Sequence, residues 1–376
     1  MAHNVSDLMR ALGKLQLSET SAISLSKTED DYVLGMAAQT GNGGECTLAA
    51  TSSNYSIRLF NLANLASKGS IEGHEGVITG VSFGHEEPDL LYSSSLDKTV
   101  RCWDTRTDLK KAVQTFEGYE KTNNLFTSFD VNCNDRLLCA GTESAAHSDT
   151  YLLFWDRRKG EVMGYYSESH QDDVTQVSFH PTDPDRMATG STDGLICIFD
   201  LTQSSEDDAL LSTLNSQSSV AKIGWIGDKH TNIYCVTHTN TLHVWDAVEG
   251  DSVLEMIDIR ERLDKPSRID YLVDCLPYTS QEVYLVTGTY SGDIRLFEVN
   301  GTDKALQELS TLMGGHKSTI RCSIWNQNLQ RLITGGEDSL LCMWSPDDQQ
   351  QSKTQATGKA GKLKMKTSIS KKAQPY

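Results

Sequence analysis

The stretch Gly73–Asp104, GHEGVITGVSFGHEEPDLLYSSSLDKTVRCWD, decides the fold. It opens on Gly73-His74 and closes on Trp103-Asp104. Between these ends, Val77 to Phe83, Leu90 to Ser94 and Thr99 to Asp104 each have the length and apolar content of a strand. Asp97 stands in the tight turn before the third, where an aspartate bonds nearby amides. Polar groups inside such a unit need partners. The residue types allow a chain of them: the Trp103 indole to Ser93, Ser93 to His74, and His74 to Asp97.

The same set returns twice. His170, Thr189 and Asp193 repeat it with Phe199 in the tryptophan position, and His316, Thr334, Asp338 and Trp344 repeat it in full. Seen once, a hydroxyl, a histidine and an aspartate suggest nucleophilic catalysis, which needs an exposed hydroxyl beside an oxyanion hole. A set stamped along the chain is architecture. Seven strand endings of one type occur: Ile57–Phe60, Val100–Trp103, Leu152–Trp155, Ile196–Phe199, Leu242–Trp245, Ile294–Phe297 and Leu341–Trp344. Their last aromatics lie 43, 52, 44, 46, 52 and 47 residues apart, a period that marks a repeat architecture.

The Gly-His openings and Trp-Asp endings resemble the WD-repeat family. That resemblance covers about Tyr32 to Ser345. It implies an all-β chain folded as a single seven-bladed β-propeller. The expected organisation is a flexible arm at 1–20, the propeller at 21–345 and a disordered Lys-rich tail at 346–376. A strand at Ala22–Leu25 is placed to complete the last blade. The repeats are unequal. The first has Asn54 for the turn aspartate, the third opens on Gly118-Tyr119 with an insertion before Asp149, the fifth has Asn240, and the sixth has Ser291. A narrower likeness within the family rests on Phe129–Asp135, Ser167–Pro181 and Gly335–Asp338.

The chain carries a net charge of −17. From Pro346 on there are seven lysines against two aspartates, so the remaining body is five units more negative still. Such a body argues against a nucleic-acid face and for basic partners. The nine cysteines form no CxxC pair, and most sit inside expected strands, as small buried residues in a reducing compartment do. There is no apolar run long enough to span a membrane and no signal-peptide pattern. These features predict an intracellular, monomeric protein, cytoplasmic or nuclear. The acidic run Ser204–Asp208 reads as a solvated turn. No phosphate-cradling loop or metal-ligand cluster is visible, so no cofactor and no catalytic residue are assigned.

Two binding surfaces are predicted instead. Aligning the Gly-His openings places Gly35, Thr79, Thr127, Thr175, Ala221, Asp270 and Arg321 at the channel mouth, with Leu96, Tyr290 and Glu337 preceding turn positions on the same face. Proteins or peptides are the expected ligands there. On the opposite face, Trp103-Asp104-Thr105-Arg106 and Trp155-Asp156-Arg157-Arg158 resemble the Trp-Asp-x-Arg motif of cullin-4 ubiquitin-ligase substrate receptors. The resemblance implies an adaptor docked on Arg106 and Arg158. The local alternative is that each arginine pairs with its own blade's aspartate. A scaffold is the first reading, and an enzyme with its site at the channel mouth is the other class.

Overall fold

The computed structural model describes residues 8–24, 31–39, 46–144, 149–257, 259–263, 268–276, 282–301 and 304–346. Seven antiparallel four-stranded sheets make it a seven-bladed propeller. In the second blade the strands run from the channel outward as Ile78–Phe83, Leu90–Ser95, Thr99–Asp104 and Gln114–Glu117. Blades follow the chain around the ring, and Val33–Ala38 of blade 1 meets Ile320–Asn326 of blade 7. All seven strand endings expected from sequence lie in third strands. Among the described residues no helix is long and apolar enough to cross a membrane.

The hydrophobic core is divided into seven clusters, each shared by two neighbouring blades. Tyr92, Val100 and Phe116 of blade 2, for example, pack on Phe126, Leu138 and Trp155 of blade 3. Each sheet is therefore covered on both sides, and second strands such as Leu90–Ser95 and Val283–Gly288 are buried at every position. Alternation along a strand selects which neighbour a side chain meets rather than core or solvent.

The closing strand corrects the expected arm. It is Leu15–Ala22, not Ala22–Leu25, and it pairs antiparallel with Leu340–Pro346 in a register running from Leu15↔Pro346 to Ala22↔Leu340. A helical turn at 8–12 precedes it, and Leu8, Leu12 and Leu15 are buried between blades 6 and 7. Most of the stretch read as a flexible arm thus belongs to the ring, because three leucines at helical spacing find a core to fill. The expected disorder at 1–7 and 347–376 falls outside the described residues.

Every innermost strand is bulged near its start, at Val33/Gly35, Ile78/Gly80, Phe126/Ser128, Val174/Gln176, Val220/Lys222, Leu272/Asp274 and Ile320/Cys322. A bulge adds one residue and re-aims the strand end. The block Phe129–Asp135 explains its own oddity. Asp130 accepts from Phe179 N (2.8 Å) and Asn132 donates to Pro184 O (3.0 Å), both in blade 4. Asp135 accepts from the amides of His85, Glu86 and Glu87 in blade 2, at 2.8, 2.9 and 2.9 Å. Burial disfavours the Asp130 carboxylate more than its two amide donors favour it, which lifts its pKa to about 6. Blade 3 is thereby clamped to both neighbours.

Ser204–Asp208 is not a simple solvated turn. Ser205 caps a short helix, Glu206–Ala209, by accepting from Asp208 N. The Glu206 carboxylate accepts from Ser167 N (2.7 Å) and Glu168 N (2.9 Å), securing the loop that leads to His170.

Candidate functional site

The repeated polar set forms as a buried chain. In blade 2 the Trp103 indole donates to Ser93 Oγ (2.9 Å), Ser93 Oγ lies 2.7 Å from His74 Nε2, and His74 Nδ1 lies 2.7 Å from Asp97. Asp97 also accepts from Glu75 N and from the amide and hydroxyl of Thr99. Blade 7 reproduces the chain through Trp344, Thr334, His316 and Asp338, at 2.9, 2.8 and 3.0 Å. Ser93 and Thr334 are fully buried, so neither hydroxyl can meet a substrate. Burial opposes ionisation of Asp97, but the His74 and Thr99 hydrogen bonds outweigh it and hold the carboxyl well below the usual range.

Blade 4 keeps His170 Nε2 at 2.7 Å from Thr189 and Nδ1 at 3.1 Å from Asp193. Phe199 supplies no indole proton, so Thr189 keeps the ring contact without a tryptophan donor. Burial would lower the His170 pKa, but Asp193 and the nearby Cys197 raise it to about 9. The irregular blades substitute other groups. Asn54 bonds Asp31 (2.9 Å) and Ser56 in blade 1. A hydroxyl chain links Thr239, Thr237, Thr241 and His243 in blade 5. In blade 6, Ser291 bonds the side chains of Thr289 and Asp293.

Asp97→Ala and Asp338→Ala are each expected to cost about 1–3 kcal/mol, since they strand buried donors. Ser291→Ala should fall within about 0.5 kcal/mol of wild type. Urea unfolding midpoints of the three variants check this, and equal shifts would refute it.

The bulge register revises the channel-mouth alignment. The added residues are Leu34, Thr79, Thr127, Thr175, Ala221, Val273 and Arg321. Gly35 is therefore not the counterpart of Thr79; Leu34 is. Asp270 keeps that place, because the blade 6 bulge lies two residues further along: Tyr271 faces Gly288 as Gly80 faces Ser94. Blade 1 has no Gly-His opening, the mark on which the alignment depends. The three threonines do not offer free hydroxyls. Thr79 donates to Phe126 O (2.8 Å), Thr127 to Val174 O (2.7 Å) and Thr175 to Gly190 O (3.1 Å). Arg321 is ion-paired with Glu337. Leu96 and Glu337 sit just before their turn aspartates, and their amides donate to Val77 O and Thr319 O.

Asp270 also has a fixed partner on that face. Its carboxylate accepts from Tyr290 N (2.9 Å), replacing the backbone carbonyl that serves the equivalent amide in other blades. The Tyr290 ring packs on Tyr271 with centroids 5.6 Å apart. The Tyr271 hydroxyl in turn accepts from Ile320 N (2.7 Å) in blade 7. Tyr290 is 67% exposed on this fixed base. Sequence reasoning missed a partly buried ion pair between the innermost strands of blades 5 and 6. Lys222 Nζ lies 2.9 Å from Asp274, which also accepts from the Tyr234 hydroxyl (2.8 Å). Both charged residues directly follow a bulge, which shows only in the strand pairing.

On the opposite face each arginine fork is turned home. Arg106 Nε and Nη2 donate to Asp104 (2.9 and 2.8 Å), and Arg158 Nε and Nη2 donate to Asp156 (3.0 and 2.8 Å). These bonds bring both carboxyls down to about 2. The two arginine side chains still remain 65% and 68% exposed. Among the described residues no three His, Cys, Asp or Glu side chains are grouped to hold a metal ion.

The family described as Nucleolar protein 10-like, N-terminal domain, matches residues 41–267, and the WD domain, G-beta repeat, matches 306–345. The WD repeat-containing protein 89 homolog of Dictyostelium discoideum is 30% identical, over 88% of this chain and 89% of its own length. The WD repeat-containing protein GTS1 of Arabidopsis thaliana is also 30% identical, over 80% of this chain and 78% of its own. Protein SOF1 of Saccharomyces cerevisiae is 20% identical over 92% of this chain and 72% of its own.

Proposed function

Because this chain belongs to the WD-repeat family, whose propellers serve in general as protein-interaction scaffolds, we propose that it is a non-catalytic scaffold that seats a partner protein on the face carrying Tyr290. The observation that carries this reading is the exposure of Tyr290 on a rigid base made by Asp270 and Tyr271. A held aromatic loses little freedom on binding, which is what makes tyrosine an effective anchor. The acidic body favours partners with basic segments. The nucleolar name of the matched family favours the nucleus over the cytoplasm as the place of work.

Affinity purification with quantitative mass spectrometry tests it. Tyr290→Ala is expected to lower recovery of a direct partner about tenfold, and Asp270→Ala by less, at unchanged melting temperature. If every partner stays bound to both variants, the site is wrong.

A second reading keeps the cullin-4 adaptor, supported by the exposure of Arg106 and Arg158 in neighbouring blades. Docking would require both forks to exchange Asp104 and Asp156 for adaptor carboxylates, so the net gain is smaller than for free arginines. The same purification decides it. An adaptor recovered with wild type and lost with the Arg106→Ala, Arg158→Ala double variant supports this reading, and its absence from wild type rejects it.

A further inference from the structure

Blade 3 departs from its neighbours in a way that the Tyr290 surface does not absorb. Ala140 stands where blade 2 has Ser93, and the Trp155 indole donates to Glu117 O (2.9 Å) instead of to a hydroxyl. No buried hydroxyl remains for a histidine to bridge, and Tyr119 occupies the histidine position. Its ring is 40% exposed and stacks on Tyr165 of the outermost strand of blade 3, with centroids 6.1 Å apart. Tyr165 is 45% exposed, and Tyr151 meets it edge-on at 5.5 Å. Met163, two residues away on the same side of that strand, is 64% exposed.

The patch is preorganised. The Tyr119 carbonyl accepts from Thr122 N, Thr122 Oγ1 and Asn124 Nδ2 at 3.1, 2.9 and 2.9 Å, fixing the loop that carries the ring. Its surroundings are acidic. The segments bearing the three rings expose Glu117, Glu120, Asp149 and Glu168 against Lys121. Aromatic faces flanked by carboxylates attract cations that can lose part of their hydration, and a guanidinium stacks on such faces better than an ammonium.

From this arrangement we infer that the Tyr119–Tyr165 patch is a second docking site, for an arginine-containing linear segment of a partner protein. Guanidinium groups lie over the tyrosine faces, and the carboxylate rim supplies the longer-range attraction. The site is separate from Tyr290 and stands or falls independently of it.

Fluorescence anisotropy with labelled hexa-arginine, hexalysine and hexaglutamate peptides tests the inference on the full chain. Hexa-arginine should bind more tightly than hexalysine, and hexaglutamate should not bind. The double variant Tyr119→Leu, Tyr165→Leu keeps apolar bulk but removes the ring faces, and should weaken hexa-arginine binding about fivefold at 150 mM salt. Tyr290→Ala should leave it unchanged. Glu120→Gln with Glu168→Gln keeps the rings and tests the rim without touching packing. Its effect should be clear at low salt and fade as salt rises. Unchanged binding in the double leucine variant overturns the site, as does equal weakening by Tyr290→Ala. A concentration-dependent dimer that disappears in the double leucine variant would also overturn it, by making a second copy the occupant.

Discussion

Removing residues 1–22 is expected to leave a chain that does not form a stable ring. The deletion takes away the fourth strand of blade 7, whose register runs the length of Leu340–Pro346. It also removes Leu8, Leu12 and Leu15 from the cluster that joins blades 6 and 7. Each buried leucine contributes about 1.5–3 kcal/mol, so these three alone approach the 5–15 kcal/mol that typically separates folded from unfolded domains. The strand left behind would present an unpaired edge beside exposed Leu312 and Trp344, a template for aggregation. The expected result is loss of a cooperative calorimetric transition and of soluble yield. Leu12→Asp, which puts a charge where the wild-type side chain is fully buried, should lower stability by more than about 3 kcal/mol without shortening the chain. A truncated chain melting within a few degrees of wild type would show that the strand is decoration.

The second large effect is expected at Asp135. Its carboxylate serves three consecutive backbone amides of the neighbouring blade. Asp135 is itself nearly fully buried and has φ of 54°, a left-handed conformation that aspartate and asparagine tolerate better than alanine. Gly84 makes room for it, since a Cβ there would stand 2.9 Å from the carboxylate. Asp135→Ala is expected to cost about 3–5 kcal/mol, combining orphaned amides with backbone strain. Asp135→Asn keeps an acceptor and the backbone preference, and should cost about 1–2 kcal/mol. Urea midpoints give the order, and an alanine variant as stable as the asparagine variant would refute the clamp.

Much of this architecture was legible in the residues. The blade endings could be read because a third strand is buried on both sides and ends on a large aromatic, as at Trp103 and Trp344. The His-hydroxyl-Asp sets could be read because they recur. The closing strand was placed too late for a physical reason. Leu8, Leu12 and Leu15 carry a helical spacing, and the bulge between Leu17 and Glu19 breaks the alternation that marks a strand. The clamp at Phe129–Asp135 was visible as an unusual block, but its partners lie about fifty residues away in other blades, and no local pattern reveals them. The alignment of blade openings puts Asp270 where the strand register has it, beside Tyr271. Its role depends on the shape of the Tyr290 turn, which propensity alone does not specify. The Trp-Asp-x-Arg pattern is compatible with an arginine paired at home or with a partner, and only geometry shows which the fork faces.

The pairing of Leu15–Ala22 with Leu340–Pro346 also sets a timetable. Ser18 Oγ bonds Met343 O across 325 residues of chain. At the usual 5–20 residues per second, roughly 15–60 s pass between synthesis of the first partner and release of the second. Six blades emerge during that interval, while the segment that completes the seventh has no strand to join. The newborn protein therefore spends its early life as an open arc with two sticky ends. Until the ring closes, the two ends are open to strand pairing with other chains.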